Sequence, residues 1–157
     1  MNIPTKKREC HRLIEFLETL GPTEWRSTVS SEYLIRLATG WEVRSQIEYP
    51  PTILFRFDQD RPEVISRLHW AILSYRGTIS WVLEEFDRGP GKRSNWVIMP
   101  RRLLEVRQRA EDLDVSPKEY MVKYEPGFGA IAYHDVAGLT EHVINFFERG
   151  DFKKSES

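Results

Sequence analysis

Over residues 5–20, Leu13, Ile14, Leu17 and Leu20 recur at three- and four-residue spacing with Phe16 beside them. That period predicts an amphipathic helix, which Gly21-Pro22 stops. Ser30-Ser31-Glu32 opens a second short helix carrying Tyr33, Leu34 and Leu37, with Gly40 past its end. An extended reading of 28–38 fits the same short run. Over 41–49 the period falls to two: Trp41, Val43, Ile47 and Tyr49 alternate with Glu42, Arg44, Gln46 and Glu48, which predicts a strand. Pro50-Pro51 forces a turn or a sheet-edge corner, because proline cannot donate to a ladder, and 53–57 reads as the next strand.

Asp60-Arg61-Pro62-Glu63 predicts a helix start, with Asp60 as N-cap, Pro62 in the first turn and Glu63 reaching back. Val64, Ile65, Leu68, Ile72 and Tyr75 form its apolar stripe, and Gly77 suits the position after its end. Residues 78–86 and 95–99 read as two strands joined through Gly89-Pro90-Gly91, hence an antiparallel hairpin. A helix is expected after Pro100, carrying Leu103, Val106, Ala110 and Leu113. Ser116-Pro117 starts a shorter one running into Tyr124, and Pro126 to Gly129 is a break. The run 130–134 reads as a strand, and Leu139, Val143, Phe146 and Phe147 line a last helix ended by Gly150. The order α-α-β-β-α-β-β-α-α-β-α predicts an α+β fold: one domain over 1–152, with a mostly antiparallel sheet of about five strands packed by helices. A polar disordered tail is expected at 153–157.

Composition supports a packed core. Hydrophobic residues make up 40% of the 157 and aromatics 12%, enough apolar surface to offset the ordering entropy without a metal or disulfide. Cys10 is the single cysteine, so no intrachain disulfide forms. No apolar run approaches the roughly 20 residues of a membrane span, and the basic start is followed by a charged helix instead of an apolar signal core. The expected location is the cytoplasm, with no membrane partner.

The net charge of −1 hides an uneven distribution. Residues 88–109 hold Arg88, Lys92, Arg93, Arg101, Arg102, Arg107 and Arg109 against Glu105 alone, +6, which leaves −7 on the remainder. Such a segment suits phosphates, with Trp96 available to stack on a base. It equally suits an acidic protein surface, or a solvated face paired with nearby carboxylates. Trp25, placed by the pattern in a loop, has the character of an exposed interface anchor.

Motifs for catalysis are sparse. Gly127-Phe128-Gly129 lacks a third glycine and stands before an expected strand, and Pro90 removes an N–H from the Gly89 to Lys92 loop, so neither cradles phosphate. Asp58 and Asp60 are the candidate ligands for a divalent cation, as in a metal-dependent phosphodiesterase or nuclease-like hydrolase. The spacing of His134-Asp135 and Glu141-His142 matches no metal pattern, and no nucleophile elbow is present. The sequence therefore points to a small protein that works by binding, without a cofactor. Its expected partner is another protein, in the manner of an inhibitor, immunity protein or accessory subunit. Arg88, Lys92, Arg93, Trp96, Arg101, Arg102, Arg107, Arg109 and Trp25 are the expected contact residues, and nucleic-acid binding through 88–109 is the alternative.

Overall fold

Three strands with apolar residues on both sides of the pleat form the centre of the molecule. The computed structural model describes residues 5–21, 24–27, 34–37, 40–43 and 50–149. Within them the order is α1 (Thr5–Glu18), β1 (Glu24–Ser27), β2 (Leu34–Leu37), β3 (Gly40–Val43), β4 (Ile53–Arg56), α2 (Pro62–Ser74), β5 (Trp81–Phe86), β6 (Asn95–Pro100), α3 (Arg102–Asp112), α4 (Pro117–Tyr124) and α5 (Phe128–Arg149). Strands β4, β6 and β5 pair antiparallel in that spatial order, and the short β1 adds to the free side of β4.

Alternation divides the sheet residues between two cores. Ile53, Phe55, Trp81, Leu83 and Ile98 face Leu13 and Leu17 of α1, Leu68 and Ile72 of α2, and Ala132, Val136, Leu139 and Val143 of α5. On the other face Val97 and Met99, with Leu54, Val82 and Phe86 half-buried, meet Leu103, Val106 and Ala110 of α3 and Tyr120 and Met121 of α4. Helices thus cover both faces of an antiparallel sheet, in keeping with the expected α+β class.

The sheet is smaller than the expected five strands, for two physical reasons. The segment read as a strand at 41–49 contributes β3, which pairs with β2 in a ladder of its own, Leu34 opposite Val43. Residues 44–49 lie outside the described ones, as does most of the helix expected from Ser30, whose 34–37 portion is strand. The run 130–134 is helical: α5 is one helix of 22 residues, about 33 Å long. Its buried positions Ala132, Val136, Leu139, Val143 and Phe146 keep helical spacing from end to end, so the supposed strand is the first turn and a half of that stripe. No described helix is long and apolar enough to cross a membrane.

Several local expectations hold. Gly21 ends α1 at φ +85°, a conformation that favours glycine. The β5–β6 hairpin closes through Gly89 and Gly91, also at positive φ, with Asp87 accepting from the Gly89 N–H at 2.9 Å. Ser116 caps α4 by accepting the Glu119 N–H at 3.1 Å. Others change. The N-cap of α2 is Arg61, whose guanidinium has no acceptor to offer a helix N–H, and the Asp60 carboxylate pairs with Arg93 instead of capping. That helix closes at Tyr75, in extended conformation, two residues before Gly77. Pro100 is the last residue of β6. The expected tail at 153–157 lies outside the described residues.

Candidate functional site

The start of α2 and the β5–β6 hairpin diverge at the end of the sheet and leave a groove of about 640 Å³ between them. Phe57, Leu83 and Trp96 project from the sheet side, and Ile65, Ser66 and His69 from the next turns of α2. Charged side chains stand round it: Asp60 and Arg61 before the helix, Glu85 on β5, Lys92 and Arg93 on the hairpin. The hairpin is tied down by one arginine. The Arg93 guanidinium pairs with Asp60 and its Nε–H donates to the Asp58 carbonyl at 3.1 Å. Ser94 donates to the Glu85 carboxylate at 2.7 Å. An apolar interior under a polar rim is the anatomy of a recognition surface.

The basic segment is distributed over separate places. Lys92, Arg93 and Trp96 line the groove, and Arg88 reaches the Arg93 carbonyl at 3.2 Å. Arg101 stands over a smaller depression of about 160 Å³ along β5, with His69, Ile72 and Leu73 of α2 opposite. Arg102 is engaged by Glu125 at 2.9 and 3.0 Å and by Glu105, and the hydrogen bond to Glu125 pushes its pKa further up. Arg107 lies over the Phe86 ring, 4.9 Å from its centroid, and Arg109 is exposed in the last turn of α3. Trp25 belongs to β1, opposite Phe55 in register, and not to a loop; its side chain lies outside the described residues. The candidate cation ligands face arginines: Asp58 lies 3.7 Å from Arg56, and Asp60 pairs with Arg93. Among the described residues no three His, Cys, Asp or Glu side chains gather as a metal site.

The His134-Asp135 and Glu141-His142 cluster is dispersed by its helix. His134 is exposed and Glu141 pairs with Arg12 of α1. His142 Nε2 lies 2.8 Å from Ser74 Oγ, and its ring is 5.5 Å from Tyr75. Ser74 Oγ also donates to the Ala71 carbonyl at 3.1 Å.

Asp135 is the residue whose role the sequence conceals. It is only 6% exposed, yet it accepts from Trp81 Nε1–H at 2.8 Å, Tyr75 O–H at 2.8 Å and Thr78 N–H at 3.0 Å. Burial first, then the bond to Asp135 and its charge, push the Tyr75 phenol above its ordinary pKa. Gly77 and Gly138 make room for the phenol, since a Cβ at either would overlap its hydroxyl. All donors at this carboxylate come from the protein itself, so it fastens α5 to β5 and to the loop before it. The signal available in the sequence was an acid inside a helix's apolar stripe, between Ala132 and Leu139.

The chain matches no known protein family, curated protein or solved structure. The groove is therefore read from its own geometry: it offers shape, an aromatic wall and opposed charges.

Proposed function

We propose that the chain is a binding protein that engages a protein partner at the groove between α2 and the β5–β6 hairpin. The observation that carries this reading is the composition of that groove, a cavity of about 640 Å³ with Phe57, Ile65, Leu83 and Trp96 inside and charges of both signs around it. Interleaved Asp60, Arg61, Glu85, Lys92 and Arg93 suit a protein surface better than a phosphate backbone, which calls for uninterrupted positive charge. Binding in place of turnover is supported by how the acids are used: Asp60 is held by Arg93, and Glu85 by the Ser94 hydroxyl.

The test uses partners captured by photo-crosslinking from a probe placed at Gln59 on the full chain. Ser66→Arg, which fills the groove from an accessible turn of α2, and Lys92→Glu, which reverses the rim, are each expected to weaken the captured complex about tenfold or more. Thermal melts should remain near wild type. Equal affinity in both variants would overturn the proposal. So would capture of RNA or DNA whose affinity falls steeply with salt and is lost on replacing Arg101, Arg107 and Arg109 together.

A further inference from the structure

Strand β5 ends the sheet on its side: the order is β1, β4, β6, β5. Its register with β6 sets Trp81 opposite Pro100 and Phe86 opposite Asn95, and the Arg101 N–H donates to the Ser80 carbonyl at 2.9 Å. In an antiparallel ladder, residues that exchange bonds with the neighbour alternate with residues that do not. Ser80, Val82, Glu84 and Phe86 therefore spend their backbone groups on β6, and Trp81, Leu83 and Glu85 direct theirs outward. Among the described residues no strand or side chain takes up those outward groups. The edge spans six residues, about 20 Å, a length at which an unpaired strand is a template for another chain.

The surroundings suit such a chain. The depression of about 160 Å³ follows Trp81 to Glu84 between His69, Ile72 and Leu73 of α2 and Arg101 and Leu104 beyond the other face. It meets the larger groove at His69 and Leu83, which line both. Leu73, on the α2 bank, is 40% exposed. Charge selects among occupants. Arg61 and Lys92 near the hairpin, and Arg101 beside the other end of β5, carry no ion pair among the described residues.

We infer that the partner of the groove contributes an extended segment that adds to the outer edge of β5, with carboxylates toward Arg101 at one end and toward Arg61 and Lys92 at the other. This rests on the groove reading. Backbone bonds to Trp81, Leu83 and Glu85 supply register-independent affinity, and Leu73 with Leu83 supplies a pocket for an alternate apolar side chain.

The experiment selects linear dodecapeptides from a displayed random library on the full chain and measures their affinity in solution. Glu85 provides the decisive pair of variants. Its N–H points outward, so Glu85→Pro removes a donor from the free edge and leaves the β6 ladder intact, whereas Glu85→Ala removes only the carboxylate. Selected peptides are expected to be acid-rich; Glu85→Ala sets the reference for loss of the carboxylate, and Glu85→Pro is expected to bind about tenfold or more weaker than Glu85→Ala. Amides of Leu83 and Glu85 should gain exchange protection, and Arg101→Glu should weaken acidic peptides while a lysine-substituted peptide regains binding. A melt of Glu85→Pro near wild type establishes that it folds; if it does not fold, N-methylation of successive peptide amides replaces it and must abolish binding at alternate positions. Equal losses from Glu85→Pro and Glu85→Ala, or no selected peptide at all, overturn the inference. Loss on Ser66→Arg with Glu85→Pro unaffected overturns strand addition and leaves the groove reading standing; no effect of either sinks both. A dimer in light scattering that Glu85→Pro dissociates assigns the edge to a second copy and also overturns it.

Discussion

Two carboxylate-centred clusters flank strand β5, one at each end, and they use similar residues to opposite ends. At the Trp81 end, Asp135 is buried and receives three donors from its own chain. At the hairpin end, Asp60 and Glu85 stand at a groove, each held by one neighbour, the exposed Arg93 and the half-buried Ser94. Aromatic side chains accompany both, Tyr75 and Trp81 in one and Trp96 in the other. Burial accounts for the difference. An enclosed carboxylate must be satisfied internally or it costs several kcal/mol, and once satisfied it has nothing left to offer a ligand. A solvated one exchanges partners at little cost, and that makes it usable for recognition.

The comparison is sharpest at Asp135. Asp135→Ala leaves the Trp81 indole, the Thr78 amide and the Tyr75 phenol without their acceptor, and about 3–5 kcal/mol of stability is expected to go, measured by denaturant unfolding. Asp135→Asn keeps one acceptor oxygen and should lose about half as much. A cost below about 1 kcal/mol for the alanine variant would break the distinction between the two ends. The same cluster sets a pH dependence. Folding raises the Tyr75 pKa, so above the ordinary phenol range the unfolded chain holds fewer protons than the folded one, and stability falls as pH rises. That alkaline fall should be shallower in Tyr75→Phe.

How far this was legible in the sequence differs between the two ends. Glycines at 89 and 91 and the alternation of 95–99 announced the hairpin, and three of the expected contact residues, Lys92, Arg93 and Trp96, do meet at the groove. Local patterns suffice there because a hairpin's residues are neighbours in the chain. Asp135 bonds partners 54 to 60 positions away, and no local period encodes such a separation. The same limit explains the strand expected at 130–134: five apolar-rich residues read alone fit a strand, and only the stripe continuing to Phe146 identifies them as helix. It also explains Arg102, whose partner Glu125 belongs to the loop after α4. The groove's second wall, Ser66 and His69, escaped notice because one turn of helix carries no mark of what it will face.

Gly138→Ala tests the buried end more gently. Within a helix, alanine in place of glycine is worth about 1 kcal/mol in its favour. Here the added Cβ overlaps the Tyr75 hydroxyl and displaces it from Asp135, at about 1.5–3 kcal/mol for a bond to a charged acceptor. A net loss near 1 kcal/mol is expected. In the Tyr75→Phe background the overlap is relieved, and the same substitution should become neutral or stabilising. Thermal melts of the four proteins close this cycle, and additivity would show that the close approach is of no consequence.

The smallest effect on stability is expected at the open end. The Asp60 side chain is 81% exposed and that of Arg93 is 49% exposed, so their pair forms in water with ordinary screening. Asp60→Ala should change stability by less than about 1 kcal/mol, and by less still in 1 M salt. Its consequence lies elsewhere: with the pair broken, Arg93 keeps only its bond to the Asp58 carbonyl, and the hairpin loses a tether to the start of α2. Exchange of the amides around Lys92 should quicken while that of the β5–β6 ladder stays unchanged. A loss of several kcal/mol would mean that the hairpin end is as structural as the Asp135 end, and the division of labour along β5 would fail.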